Sequence, residues 1–400
     1  MDSKAKAQAF LSKHNFLIAP VERLPVESSD QPLIKAGSAV LRNIYEGESA
    51  IVIDAGGTNF RSCLVTKTSD GLEISDFEKT SMPAIDRELN KKEFYAAIAA
   101  NIARLKDRSD KISFCFSYAM EITEDGDGKI LRFSKEIKAK EAVGTYLGKE
   151  LLEELKNQGW SSIKKINVLN DTAALLLSSL VESSRQKYDG HLAFILGTGM
   201  NSAYISKGQI IVTECGMFSQ LPQSDFDKIV SGRTTLPRQS LLEKMCSGAY
   251  LGDLAFEMLL KAGFEGYFSN QFIKAMSQLT KVTTADFDGI YDKEKASPLT
   301  ELIKQGTEED AALLKEIISA IIVRSANLTA QAICAEANHT DKEKGELPLC
   351  ITCNGSTFWK TPLLKESVEA RLKDLLQQPF EIIKIDDDIT KGSFAAAFIS

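Results

Sequence analysis

The chain has few of the residues from which metal centres are built. Three histidines occur in 400 residues, far apart, and the Cys-x-x-C of Cys350 and Cys353 has no second pair to complete a zinc site. That pair falls within LPLCITC, which reads as a buried strand whose alternate residues face opposite ways, so core thiols are expected. Seven cysteines, an odd number scattered through the chain, suit a reducing cytoplasm better than a disulfide framework, and a cytoplasmic location is expected. Basic charge is also short. Against 55 Asp and Glu stand 48 Lys and Arg, a formal net charge of -7, with no basic face concentrated to meet nucleic acid. Long apolar runs are missing too. The N-terminus, MDSKAKAQAFLSKHNF, has no signal-peptide core, and the least polar window, residues 192–212, is broken by Gly197, Gly199, Asn201 and Lys207, so no membrane partner is expected. No G-x-x-x-x-G-K-[ST] occurs, and GTGMNS lacks the last glycine of a dinucleotide fingerprint.

What the chain does have is 44% apolar residues, enough for one large or two medium domains; two lobes are expected. Its organising stretch is IVIDAGGTNFRSCLV, residues 51–65. Two apolar runs flank Asp54-Ala55-Gly56-Gly57-Thr58-Asn59, which reads as strand, tight turn, strand. Paired glycines let backbone N–H groups approach a phosphate, Thr58 and Asn59 add neutral donors, and Asp54 is placed to hold a water of hydrated Mg²⁺. Taken alone, an ordinary hairpin explains the stretch equally well.

Further along, Asn90 with Glu93 forms a capping-box pattern, and Phe94, Ile98, Ile102 and Leu105 repeat at helical spacing. ISFCFS reads as a strand ending at Ser117. EITEDGDGKI lacks the ligand order of a calcium loop and reads as a glycine turn. It leads to Ser134-Lys135, unremarkable without context. INVLNDTAALLLSSL is a strand running into a helix with Asn170-Asp171 at the junction. There Asp171 is either the N-cap or a carboxylate at a strand's C-terminal end, where open α/β sheets hold ligands; the helix N-terminus is expected to lower its pKa. LAFILGTGMNSAYIS repeats the opening design around Gly197-Thr198-Gly199, which suggests a duplicated α/β plan with one phosphate-binding hairpin from each half. Glu214 then ends a strand, and residues 238–263 read as one long helical pattern containing Glu243. Residues 317–337 read as an apolar core helix with Arg324 as its odd charge. CNGSTFWK turns at Gly355-Ser356, and Leu364, Val368 and Leu372 mark a helix entered near Pro362. The tail has a Lys-Gly turn before a short helix of small residues that returns to the first half.

Taken in order, IDAGGTNFR, FSY, SKE, LNDTAALL, ILGTGMNSAYI, TECG, LLEKMCSGAYLG and CNGSTFWK resemble the hexokinase family of sugar kinases, over roughly residues 51–400. The resemblance implies an α/β, two-lobed actin-like ATPase (ribonuclease H-like) fold, with mixed sheets flanked by helices and an interlobe cleft. Residues 49–169 plus about 388–400 would form the small lobe, and 1–48 plus 170–387 the large lobe. It implies transfer of the γ-phosphoryl group of ATP to the 6-hydroxyl of glucose or a related hexose, with Asp171 as general base and Lys135 balancing charge on the phosphoryl oxygens. Ser117, Ser134, Lys135, Asn170, Asn201, Glu214 and Glu243 match the sugar-binding set. On the nucleotide side, Asp54 would orient hydrated Mg²⁺. Gly56, Gly57, Thr58, Asn59 and Arg61 would line the phosphate region, Gly197, Thr198 and Gly199 the second loop, and Gly355 and Ser356 the adenosine. A monomer or homodimer is expected.

Departures from the family pattern lie beside these residues. Ser134 replaces the usual Thr, Ala119 stands where Pro is general, Arg238 and Ser240 interrupt a Gly-Gln-Gln stretch, and Val323 replaces a Thr near the nucleotide. The alternatives are a non-catalytic sugar sensor, against which the intact Asp171, Lys135 and Asp54 count, and an actin-like structural or chaperone ATPase, which would not need Asn201, Glu214 and Glu243.

Overall fold

The computed structural model describes residues 2–16, 34–38, 43–123, 125–133, 136–182, 187–292, 294–341 and 347–399. Two sheets organise it. The first has five strands in the order β4 (Gly71–Ser81), β3 (Asn59–Thr68), β2 (Ser49–Gly56), β5 (Ile112–Phe116) and β8 (Ile166–Leu169). The second has six, in the order β1 (Ile34–Ser38), β11 (Gln209–Val212), β10 (Met200–Ser206), β9 (Gly190–Leu196), β12 (Leu349–Asn354) and β13 (Phe380–Ile383). A separate hairpin pairs β6 (Ala119–Ile122) with β7 (Gly128–Arg132).

With β1 set aside, the sheets share one plan. The first strand, β2 or β9, pairs antiparallel with the strand that follows its glycine turn, and parallel on its other side with β5 or β12. Strands in that central position are covered on both faces, which is why they read as nearly continuous apolar runs. Residues 50–53 of β2 and 190–194 of β9 are all buried. The repeat expected from the two glycine hairpins is therefore a repeat of whole sheets.

Helices α4 (Asp171–Glu182) and α14 (Asp388–Ala396) join the sheets. One apolar cluster takes Cys115 from β5, Ala173 to Leu177 from α4, Ala193 from β9, Val212 from β11, and Ala395 and Ala396 from α14. Small residues set the close approach. A Cβ at Gly392 would lie 1.7 Å from the Ala174 carbonyl oxygen. The Lys-Gly expected to form a turn thus sits inside α14, where the glycine serves packing. Gly392→Ala is expected to destabilise the fold by about 1–3 kcal/mol through overpacking, read as a lower urea midpoint with an unchanged slope.

On the first sheet, α2 (Lys91–Asn101) and α3 (Leu147–Asn157) cover one face. Asn90 and Glu93 form the expected capping box, and Phe94 and Ile98 point inward. Ile102 and Leu105 carry the same stripe through a following 3-10 turn. The expected turn after β6 has a further use, since Asp127 accepts the Gly148 and Lys149 N–H groups at the start of α3, at 2.6 and 2.9 Å.

On the second side, α1 (Ser3–Lys13), α5 (Asp225–Gly232), α6 (Leu241–Cys246), α7 (Gly248–Phe264), α8 (Asn270–Met276), α9 (Asp288–Tyr291) and α10 (Pro298–Gln305) surround α11 (Glu308–Ala337). Two further helices, α12 (Ser356–Lys360) and α13 (Leu364–Leu375), follow β12, and Leu364, Val368 and Leu372 are buried as their spacing requires. By length and hydropathy α11 is able to cross a membrane, yet 78% of its apolar window is buried within this fold, so it is a core helix. The expected single helix over 238–263 is broken. Ser247 is extended, at φ -88° and ψ 158°, and the break turns the Gly248 N–H onto the Gly197 carbonyl at 2.8 Å.

Candidate active site

The residues singled out in the sequence cluster at the C-terminal ends of parallel strands, where open α/β sheets hold ligands. β2 ends at Asp54 and the Gly56-Gly57 turn, β5 is followed by Ser117, and β8 by Asn170 and Asp171. From the second sheet come the 197–199 turn, Asn201 on β10, Glu214 after β11 and Gly355 after β12. Ser134 and Lys135 lie outside the described residues.

At the start of α4 the two candidate roles divide between neighbours. Asn170 Oδ1 accepts the Ala173 N–H at 2.8 Å, so Asn170 is the cap and Asp171 is the first helical residue. Its carboxylate is therefore not spent on capping; it accepts the Thr172 hydroxyl at 3.2 Å. The pKa expectation is corrected here. Burial pushes the Asp171 carboxyl up from its ordinary value, its bonds to Thr172 oppose this, and the Asp54 charge adds to the rise. Desolvation outweighs the helix terminus.

Asp54 is held by Arg61, whose Nη1 donates to Oδ2 at 2.6 Å. The pair is antiparallel across β2 and β3, so Arg61 reaches the turn's carboxylate along the sheet. Tyr118, which the sequence reading passed over, closes the turn from the other side by donating its hydroxyl to the Gly57 carbonyl at 2.7 Å. Ser117 packs directly on Gly56, where an added Cβ would meet the serine Cβ at 3.0 Å.

The second sheet and the helix beside it supply two carboxyl groups and an amide. Asn201 Nδ2 donates to Glu214 Oε1 at 2.9 Å, and Asn201 Oδ1 accepts the Ser202 N–H at 2.8 Å. Glu214 holds a left-handed backbone, φ 51° and ψ 39°, a conformation that costs a residue other than glycine about 1–3 kcal/mol and concentrates at functional sites. Glu243, on α6, accepts the Met200 N–H at 3.0 Å. A Cβ at Gly199 would come within 2.8 Å of its Oε2, so glycine there lets the carboxylate reach the turn. Burial raises the pKa of both acids. For Glu214 the Asn201 bond works against that rise, while the charges of Asp171 and Glu243 add to it. Four acids from both sheets, Asp54, Asp171, Glu214 and Glu243, are thus linked in one electrostatic group.

Beside them opens a cavity of about 330 Å³ lined by Thr198, Gly248, Thr283, Ser356, Thr357 and Lys360, among others. Two of its lining residues are tied together behind it: the Gly197 carbonyl accepts both the Gly248 N–H and the Thr357 hydroxyl, each at 2.8 Å. Thr198 and Ser356 were expected here. Gly248 and Lys360 lie inside the LLEKMCSGAYLG and CNGSTFWK strings without an expected role, and Thr283 carried no signal, because a loop of threonines has no periodicity to read.

A family model described as hexokinase matches residues 191–399, and a second with the same description matches 41–181. Glucokinase-1 of Kluyveromyces lactis is 26% identical over 368 residues, covering 79% of this chain and 76% of that protein. Hexokinase-2 of Solanum tuberosum is 25% identical over 377 residues, covering 83% and 74%. Among solved structures, a hexokinase from Schistosoma mansoni complexed with glucose superposes with a TM-score of 0.71 at 18% identity, covering 99% of this chain and 94% of that one. A second hexokinase structure superposes with a TM-score of 0.77, also at 18% identity and with the same coverage.

Proposed function

The chain belongs to the hexokinase family, and from that premise we propose how it moves the γ-phosphoryl group of ATP to the 6-hydroxyl of glucose or a related hexose. The observation that carries the reading is Asp171, uncapped and half-buried at the end of β8, with Asn170 doing the capping. A base works best with a pKa near the working pH, and burial moves this carboxyl in that direction. Asp171 takes the proton from the sugar hydroxyl as that oxygen attacks phosphorus, and the ADP β-phosphate oxygen leaves.

The hexose is read by Asn201, Glu214 and Glu243 together with the amide N–H groups of Asn170 and the Ser117 hydroxyl. Carboxylates and amides bond a ring of hydroxyls, and an analogue lacking one would leave them unpaired. Glucose is the hexose in the Schistosoma mansoni complex and is the first candidate here. Lys135, with Ser134, is proposed to meet the phosphoryl oxygens.

The nucleotide lies across the two glycine turns, with its base in the cavity beside Thr198 and Ser356. Mg²⁺ suits the donor set. Among the described residues no three His, Cys, Asp or Glu form a cage, and the Asp54 charge at the same end of the site raises Asp171. That fits a hard cation carried on ATP phosphates and held by Asp54 through water. When bound it would neutralise phosphate charge. The lobes are proposed as 49–169 with 388–400, and 1–48 with 170–387; their closure would exclude water as a competing nucleophile.

Measured ADP release with Mg-ATP and a panel of hexoses tests this directly. Hexose-dependent release, largest with the preferred sugar, is expected. Glucose binding by calorimetry with no release above the sugar-free rate would instead identify a sensor.

A further inference from the structure

Beneath the sugar pair lies a buried carboxyl group that this chemistry does not use. Glu336, near the end of α11, is 2% exposed. Its Oε1 meets the Ser202 hydroxyl of β10 and, at 3.1 Å, the Thr213 hydroxyl just past β11. Those two hydroxyls are 2.6 Å apart. Its Oε2 has no hydrogen-bond partner among the described residues. The Thr213 hydroxyl oxygen also accepts the Cys215 N–H at 3.1 Å, and the Thr213 N–H donates to the Ser202 carbonyl at 3.0 Å. Ser202 and Thr213 are the direct chain neighbours of Asn201 and Glu214. Alternation along β10 turns Ser202 inward when Asn201 faces the site.

A carboxylate in this place keeps one oxygen without a protein partner, at the negative end of a helix. The Ser202 and Thr213 hydroxyls offset part of that cost by donating to Oε1. Burial pushes the Glu336 pKa up to about 8, and the Ser202 and Thr213 bonds act against the rise. The titratable groups facing it are the Cys215 thiol, itself raised by burial and by Glu336, and Glu214 beyond that turn. On its own helix end, the His339 N–H and the Thr340 hydroxyl bind only its backbone carbonyl, at 2.9 and 3.0 Å.

We propose that Glu336 is a positioning residue for hexose binding: by accepting both hydroxyls its Oε1 ties Ser202 to Thr213 and so holds Asn201 and Glu214 at the spacing that reads the sugar. The proposal rests on Asn201 and Glu214 being the sugar-reading pair.

The test compares KM for glucose and kcat in wild type, in Glu336→Gln, whose amide oxygen still accepts both hydroxyls, and in Glu336→Leu, which accepts neither. If loss of the tie leaves the competent spacing in about a tenth of the molecules, KM in the Leu variant rises roughly tenfold while kcat changes less, and the Gln variant stays near wild type. A Leu variant with the wild-type KM, or an equal rise in both variants, overturns the proposal. A wild type with no hexose-dependent ADP release overturns the reading of the site, and the proposal with it.

Discussion

Asp171→Asn is expected to lower kcat by about 10²- to 10⁴-fold, the range of a lost general base, while the dissociation constant for glucose shifts little. Both halves follow from the junction at β8. Asn170, not Asp171, caps α4, so the helix start survives the change. The fold should keep its unfolding midpoint. The sugar still meets Asn201, Glu214 and Glu243 in the variant, and removing a charge that faces Glu214 relieves repulsion there. The pH profile sharpens the test. In wild type the carboxyl lies above its ordinary value of 3.8, so turnover falls as pH drops through the raised pKa. The Asn variant should lose that limb from kcat, leaving whatever Glu214 and Glu243 impose on KM. A variant that keeps wild-type kcat at saturating glucose and ATP would remove Asp171 from the chemistry.

Much of this architecture was legible because it is local. The two glycine hairpins, the capping box at Asn90 and Glu93, and the apolar stripe of Leu364, Val368 and Leu372 are each written within a dozen residues, and each formed as read. What the sequence concealed depends on distant partners. The break at Ser247 is specified by the Gly197 carbonyl some fifty positions earlier, which no helical period reveals. Gly392 looked like a turn because its reason, the backbone of α4, lies in another part of the chain. The pKa of Asp171 was read from its helix terminus, and burial reversed the direction of the shift. Glu336 had no signal at all, since a single Glu near a helix end is ordinarily solvated and only the fold places Ser202 and Thr213 against it. The candidate site was legible as an inventory of residues, and its electrostatics were not.

The other large effect concerns stability and sits on the same long helix. Arg324, the odd charge of α11, is 4% exposed and bonds Asp227 of α5 through both Nη atoms, at 2.7 and 2.8 Å. The Ser224 N–H and hydroxyl complete the carboxylate at 2.8 and 2.6 Å, and the Phe16 ring lies 4.0 Å from the guanidinium. Arg324→Met is expected to cost about 3–5 kcal/mol, because it strands a buried charge rather than merely removing a bond. Burial alone would raise the Asp227 pKa. Arg324 and Ser224 more than offset it, and the net shift is downward. The stabilisation linked to that shift is therefore present above 3.8, the ordinary value, and lost as pH falls through the folded pKa. In the Met variant Asp227 can escape its penalty by taking a proton, so the deficit against wild type should shrink toward acid pH. Asp227→Leu combined with Arg324→Met removes both charges and should recover most of the loss, since apolar replacement of a buried pair is often neutral or stabilising. Urea titrations of wild type, both single variants and the double variant decide the matter. A double variant as unstable as the sum of the singles would mean that the two residues act separately, and that shape rather than charge holds α5 against α11.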